Sequence, residues 1–244
     1  MIGTSYINNG SQLGLQYAVP HPEFAVDQAN GNGKIYTTTT ENVNPDTTAS
    51  FFPLPSDVIV GSHHYDVVSE WDLSGPTPTR SVLMVMETPH GDHNARWLGF
   101  DGDDNLYISV GDGGNTYWKT GDTVAEHGFS QRGNSPLGSI LRVALDGNGG
   151  YTIPNDNPYV NEPKTLSEIY AHINNSFGLE NRAIGGLAVC EECGISELEG
   201  FFINVDLAAG TLMAFNPNTK ELNELLFQDL KTDKVGTYAE LFGL

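Results

Sequence analysis

Short apolar segments that alternate with turns rich in Gly, Asp and Asn recur along this chain, and they limit the folds that it can adopt. The clearest case is the segment 97–110, in which a turn at 101–105 separates two short strands. Leu106, Ile108 and Val110 occupy alternate positions, which is typical of a strand with one buried face. Similar hairpins are predicted at residues 24–38, 140–153 and 201–215. The pattern therefore predicts an all-β fold.

Hairpins at this spacing indicate a β-propeller, whose four-stranded blades need about 40–45 residues each. The 244 residues have room for five or six such blades, but the hairpins allow an incomplete propeller of about four to five. No segment has the composition of a linker, so residues 1–244 are expected to form a single domain. Helix signals are few. The clearest is the capping-box spacing at 165–168, which would start a short helix at Ile169.

The charge of the chain excludes some classes of partner. Eleven Lys and Arg against 31 Asp and Glu give a formal net charge of −20. Nucleic acids and anionic membrane surfaces need clustered positive charge, so neither is expected as a partner. The longest apolar run, residues 82–86, is far shorter than the roughly 18 residues of a membrane span and predicts a buried strand instead. Residues 1–20 have no signal-peptide pattern.

The two cysteines, Cys190 and Cys193, are separated by two glutamates and followed by Gly194. Because a histidine would have to follow directly, the motif is no c-type haem attachment site. No second pair completes a zinc site. Two thiols in an exposed acidic loop are the favoured interpretation, and the alternatives are a local disulfide or half of a metal site.

Two further clusters could bind metals. The turn 101–105 resembles the start of a calcium loop, but an EF-hand needs Gly at the sixth position and Glu at the twelfth. These positions hold Leu106 and Asp112, so a hairpin turn is favoured. His90 and Asp92, with the adjacent His93, could supply ligands for a transition metal, but no further histidine cluster completes that set.

His93 and Asp112 form the pair of most chemical interest. They are 19 residues apart and bracket the hairpin at 97–110. In an up-and-down hairpin, a residue before the first strand and one after the second lie at the same end. A histidine beside a carboxylate can act as a general base, because the carboxylate fixes the imidazole tautomer and supports the protonated ring. The spacing predicts that the two side chains meet.

These residues also carry a resemblance to a known family. Segments 93–100 and 104–114 resemble the "HNGG-L-F…DG-LYIS-GDGG" stretch of the soluble quinoprotein glucose/sorbosone dehydrogenases, a family that includes the propeller domains of Hedgehog-interacting-like proteins. Further parts of the chain are similar to other motifs of the family and occur in the same order. They are 12–15, 21–24, Gln131 with 134–143, 151–159, 185–189 and 198–202.

The resemblance implies a six-bladed propeller that binds pyrroloquinoline quinone (PQQ) and calcium. By matching positions, His93 is the base that takes a proton from the sugar's anomeric hydroxyl while hydride goes to the quinone. Asp112 orients that base, and Gln12 contacts the quinone. The implied function is the oxidation of an aldose or related sugar alcohol, in the periplasm or outside the cell. The acidity of the chain suits such an exposed setting.

The chain also departs from the family pattern. The position of the family's catalytic Arg corresponds to Asn174, with Asn175 next to it at the cofactor. Asn can donate a hydrogen bond but has no fixed positive charge. The segment that brings carbonyl groups to calcium is absent before Gly185, so no metal ligands can be assigned. These losses favour the alternative of a non-catalytic extracellular binding module, whereas His93 and Asp112 favour an enzyme. Exposed sheet edges of an incomplete propeller predict self-association.

Overall fold

The computed structural model describes residues 13–42, 49–54, 64–89, 91, 93–113, 132–172, 184–190, 194–206, 211–216, 219, 221–228 and 233–236. The chain divides into two compact units, Met1–Ile173 and Asn174–Leu244. The expectation of a single domain stays a prediction, and each unit is described by itself.

In its described residues, the first unit contains ten strands. They are β1 Leu15–Pro20, β2 Lys34–Glu41, β3 Ser50–Phe52, β4 His64–Asp72, β5 Thr79–Thr88, β6 Ala95–Phe100, β7 Asn105–Val110, β8 Ser139–Leu145, β9 Tyr151–Thr152 and β10 Ile169–His172. The second unit contains β11 Ile184–Val189, β12 Phe202–Asp206, β13 Thr211–Asn216, β14 Glu221–Leu225, β15 Phe227–Gln228 and β16 Val235–Gly236. Within the described residues the single helix is the 3₁₀ turn Ser196–Leu198, so the fold is all-β as predicted.

The first sheet has the strand order β1-β2-β4-β5-β3, and its pairs are antiparallel except for β3 with β5. The apolar run 82–86 lies in β5 and is almost entirely buried, as predicted. The strand predicted at 24–26 is wrong. Those residues lie in consecutive turns, where Phe24 N–H donates to His21 O and Val26 N–H donates to Glu23 O, both at 2.9 Å. The true partner of β2 is β1.

The second sheet has the order β10-β8-β7-β6, and β9 pairs with Ala144 and Leu145 at the end of β8. The predicted hairpin at 97–110 is confirmed as β6 and β7, with Leu98 opposite Ile108. The helix predicted from Ile169 is wrong: Ile169 begins β10 and lies opposite Leu141 of β8. Pairing with a neighbouring strand has overridden a weak local capping signal.

The turn between β6 and β7 is confirmed as a hairpin turn. The Asp101 carboxylate accepts the N–H groups of Asp103 at 3.1 Å and Asn105 at 2.9 Å, and it lies 3.4 Å from Arg142 Nε. Arg142 also pairs with Asp156 at 2.7 Å. A carboxylate already bonded to its own turn and to a buried guanidinium is a poor candidate for a calcium ligand.

In the second unit, β11 to β14 form an antiparallel sheet in chain order, and β15 pairs with β16. The described residues thus contain three sheets of four or five strands, which is blade size, and one two-stranded sheet. The number of blades stays a prediction. Cys190, which follows β11, is disulfide-bonded and 4% exposed. The favoured interpretation of two exposed thiols is therefore wrong. Cys190 is not in an open loop, because its N–H donates to Phe201 O and its carbonyl accepts from Gly200.

The core of the first unit joins both of its sheets. Its fully buried members include Val68 and Met84 from the first sheet and Leu98, Ile108 and Leu141 from the second. An aromatic group extends this contact, because Phe100 packs against the rings of His21 and Tyr36 with centroids 5.1 and 5.4 Å apart. The hairpin β6–β7 is therefore anchored by packing against residues of the first sheet. No described helix is long and apolar enough to cross a membrane.

Truncation of the core should show this anchoring. Ile108, which is 0% exposed, lies at the centre of β7, and Ile108→Ala should lower the free energy of unfolding by about 2–5 kcal/mol. Val26→Ala, at a side chain 52% exposed, is the control and should change it by less than about 0.5 kcal/mol. Urea unfolding followed by tryptophan fluorescence measures both. Equal effects of the two variants would contradict the assigned core.

Candidate functional site

His93 and Asp112 meet at one end of the hairpin β6–β7. His93 precedes Ala95, the first residue of β6, and Asp112 follows Val110, the last residue of β7. His93 Nδ1 lies 2.6 Å from Asp112 Oδ1, and the side chains are 23% and 21% exposed. The predicted proximity is confirmed, while the catalytic roles of the two residues stay predictions.

The direction of this hydrogen bond fixes the chemistry of the imidazole. A carboxylate can only accept, so Nδ1 carries the proton and donates it to Asp112. The neutral ring then has its lone pair on Nε2, which is the atom that could accept a proton from a bound hydroxyl group. The pair is thus a base with its orienting carboxylate, and its partial exposure leaves it accessible to a small molecule.

The backbone around the pair is unusually constrained. His93 has φ = 55°, in the left-handed region that costs a non-glycine residue about 1–2 kcal/mol. Its carbonyl oxygen accepts Gly113 N–H at 3.2 Å. A Cβ at Gly111 would lie 2.2 Å from that oxygen, so only glycine allows the two chain segments to approach this closely. This is the physical role of Gly111, the residue that follows β7.

Asn94, the residue after His93, is hydrogen-bonded within a cluster of buried polar side chains. His64 Nε2 donates to Asn94 Oδ1 at 2.9 Å, and Asn94 Nδ2 donates to Gly91 O at 3.2 Å. Thr88 Oγ1 lies 2.6 Å from the same His64 nitrogen and donates to the His64 carbonyl at 3.1 Å. His64, Thr88 and Asn94 are 3%, 0% and 2% exposed. The sequence does not single out His64, because its partners Thr88 and Asn94 are 24 and 30 residues away along the chain.

Asp66 holds the next residue. Its Oδ2 accepts Ala95 N–H at 2.6 Å, and the side chain is fully buried. Burial raises the pKa of Asp66 to about 8, with smaller opposing effects from the Ala95 hydrogen bond and from Arg96. Burial thus favours the protonated, neutral form of this carboxyl group. Nothing in the local sequence singles it out, because its burial results from long-range packing.

The remaining predicted site residues lie outside the described residues. They are Gln12, Asn174 and Asn175, expected at the cofactor, His90 and Asp92, weighed as metal ligands, and Cys193. Their assignments stay predictions from the sequence.

The described part of the chain contains one group of three potential metal ligands, which sequence analysis missed. The ligand atoms of His21, Glu23 and Asp104 lie within 4.8 Å of one another. Burial lowers the pKa of His21, which favours the neutral ring, and its Nδ1 accepts Glu23 N–H at 3.1 Å. An imidazole with two carboxylates suits zinc better than calcium, which prefers oxygen ligands alone. The group does not fit the calcium that the resemblance implies.

Comparison with known proteins identifies the family. The model of the family "Glucose / Sorbosone dehydrogenase" matches residues 2–194. The chain belongs to the glucose/sorbosone dehydrogenase family, as its motifs indicated.

Two curated relatives illustrate the range of this similarity. Uncharacterized protein slr1608 of Synechocystis is 38% identical over 114 residues, which cover 46% of this chain and 24% of that protein. Human Hedgehog-interacting protein is 29% identical over 178 residues, which cover 69% of this chain and 22% of that protein. The chain thus spans about a quarter of the length of these relatives.

Among solved structures, the chain is similar to a crystal structure of glucose dehydrogenase, with a TM-score of 0.51 and 14% identity. The alignment covers 91% of this chain and 76% of that one. This likeness concerns the fold, and it agrees with the predicted class, an all-β chain of the β-propeller type.

The buried carboxyl group of Asp66 should make stability depend on pH. Its folded pKa of about 8 lies above the ordinary 3.8, so its favourable contribution is complete below about pH 4 and lost as pH rises through 8. Asp66→Asn, which keeps an acceptor for Ala95 N–H, should therefore gain stability relative to wild type between about pH 5 and pH 8. Urea unfolding of both proteins at the two pH values measures this. A difference independent of pH would show that Asp66 is ionised throughout.

Proposed function

We propose that this chain carries the proton-accepting site of a PQQ-dependent sugar dehydrogenase, and that His93 is its general base. The observation that carries the proposal is the 2.6 Å hydrogen bond from His93 Nδ1 to Asp112 Oδ1, which directs the lone pair of Nε2 away from the carboxylate. The membership of the family supports the reaction class. The substrate class is an aldose or related sugar alcohol.

The proposed reaction oxidises the anomeric carbon of the sugar. His93 Nε2 takes the proton of the anomeric hydroxyl, the C–H electron pair leaves as hydride, and the sugar becomes a lactone. PQQ, when bound, supplies the acceptor for that hydride. Asp112 stabilises the positive charge that His93 gains with the proton, because its carboxylate is already hydrogen-bonded to Nδ1. The pair of His93 and Asp112 therefore fits the role of a base that acts beside a hydride acceptor.

The residues proposed to bind the cofactor are assigned by their match to family motifs. They are Gln12, Asn174 and Asn175, which would contact the quinone. Calcium is proposed from the resemblance alone, since the one described group of potential metal ligands includes the imidazole of His21. No step proposed for His93 or Asp112 passes through that ion.

The setting and partners are also proposals. A periplasmic or extracellular location agrees with the family resemblance and with the net charge of −20. The expected partner is a small sugar, without nucleic acid or membrane insertion. Self-association is supported by β1, which ends the strand order of its sheet and leaves Leu15 58% and Tyr17 38% exposed.

A second candidate function is a non-catalytic extracellular binding module. It is favoured by the similarity to human Hedgehog-interacting protein, which extends over 69% of this chain. The Asn at position 174, where the family has Arg, also favours it, because a fixed positive charge beside the anionic quinone is lost. Titration of the protein with PQQ and calcium, followed by absorbance, separates the two functions. Binding at micromolar quinone supports the enzyme, and its absence supports the binding module.

Removal of the base should abolish most turnover. After reconstitution with PQQ and calcium, His93→Ala should reduce the rate of glucose-dependent dye reduction by about 10²–10⁴-fold, the usual contribution of a general base. Asp112→Asn should also lower the rate, because the amide can donate to Nδ1 and so favours the wrong tautomer.

The matched control for Asp112→Asn is Asp156→Asn, an equally conservative change at a carboxylate that is 73% exposed and bound to Arg142. The control should retain the wild-type rate. Equal rates for wild type and His93→Ala would remove His93 from the mechanism.

A further inference from the structure

Two buried polar side chains at the start of β4 contact the segment that follows His93. His64 and Asp66 are alternate residues of β4, so they project from the same face of the strand. His64 bonds to the side chain of Asn94, and Asp66 bonds to the backbone N–H of Ala95. The two residues that follow the proposed base, Asn94 and Ala95, are thus hydrogen-bonded to side chains of β4.

The His64 contact fastens the chain on both sides of His93. Asn94 accepts from His64 Nε2 at 2.9 Å and donates to the carbonyl of Gly91 at 3.2 Å. Thr88, on β5, lies 2.6 Å from the same imidazole nitrogen. Asn94 therefore links the carbonyl of Gly91 to a histidine whose own contacts lie in two strands of the first sheet.

The Asp66 contact sets the point where β6 begins. The register of β6 with β7 is irregular between Ala95 and Trp97, so the pairing of the two strands does not fix this end of β6 on its own. Asp66 Oδ2 supplies a short bond of 2.6 Å to Ala95 N–H at that irregularity. Its side chain is fully buried, which excludes water as a competing partner.

These hydrogen bonds restrict the backbone next to His93, whose conformation needs such support. A non-glycine residue in the left-handed region persists only where its surroundings hold it there, and His93 has φ = 55°. The backbone angle at His93 directs its side chain, and with it the 2.6 Å contact to Asp112. We propose that His64 and Asp66 are positioning residues, which hold residues 93–95 in the conformation that brings His93 to Asp112. The catalytic consequence rests on the proposed function, whereas the positioning itself does not.

The direct readout is the hydrogen-bonded Nδ1 proton of His93. In wild type labelled with ¹⁵N we expect a downfield imidazole N–H signal, assigned by its loss in His93→Gln. Asp66→Val, which is similar in shape and removes the acceptor, should abolish or broaden this signal. Asp66→Asn retains an acceptor oxygen and should restore it. This measurement needs neither cofactor nor sugar, so it tests positioning even if the chain is not an enzyme.

Two further variants keep the test decisive. Thr88→Val removes the hydroxyl group beside His64 without creating a cavity, and it should weaken the signal. This variant provides the test if Asp66→Val does not fold. Glu70→Gln is the matched control, because Glu70 is also buried on β4 but contacts Lys34 and Tyr36. The control should leave the signal unchanged. An intact signal in folded Asp66→Val and in Thr88→Val would overturn the proposal.

The reconstituted protein gives a second readout. Asp66→Val should lower kcat by about 10- to 100-fold with KM nearly unchanged, since it displaces the base without removing substrate contacts. In an Asp112→Asn background the same substitution should cost much less, because the pair that it positions is already broken. Equal losses in both backgrounds would assign Asp66 a general structural role. A wild type that shows the NMR signal but no turnover would refute the proposed function and leave the positioning intact.

Discussion

The hydrogen bond between His93 Nδ1 and Asp112 Oδ1 is the interaction on which this account of the molecule depends. It joins residues that flank one hairpin, so it depends on the pairing of β6 with β7 and on Gly111, which lets the flanking segments approach closely. It also decides which imidazole nitrogen can act as a base. Fold and chemistry therefore meet in a single contact of 2.6 Å.

The surroundings of the pair contain more buried polar groups than a β-sheet core needs. Asp66, His64 and Thr88 are each at most 3% exposed and lie beside the segment that follows His93. Burying such groups costs free energy unless their hydrogen bonds are made. His64 bonds to Asn94 and Asp66 Oδ2 accepts Ala95 N–H, whereas Asp66 Oδ1 has no hydrogen-bond partner among the described residues. The scaffold thus uses polar packing where a purely structural sheet would use apolar side chains.

The sequence predicted most of what depends on local pattern. The hairpin β6–β7, its turn at Asp101 and the meeting of His93 with Asp112 all follow from alternation and spacing, and the family motifs pointed to the same residues. The failures came from long-range effects. A capping signal before Ile169 lost to strand pairing with β8, and the contacts of Asp66 and His64 join segments about 30 residues apart, which no local pattern reveals.

The most direct test is a single turnover without any dye. Protein reconstituted with one equivalent of PQQ and with calcium is mixed with glucose, and the absorbance of the bound quinone is followed. The account predicts that wild type converts the quinone to its reduced form, while His93→Ala binds it equally well and reduces it at least about 100-fold more slowly. Bound quinone that is reduced at the same rate in both proteins, or quinone that does not bind to wild type, would contradict the central claim.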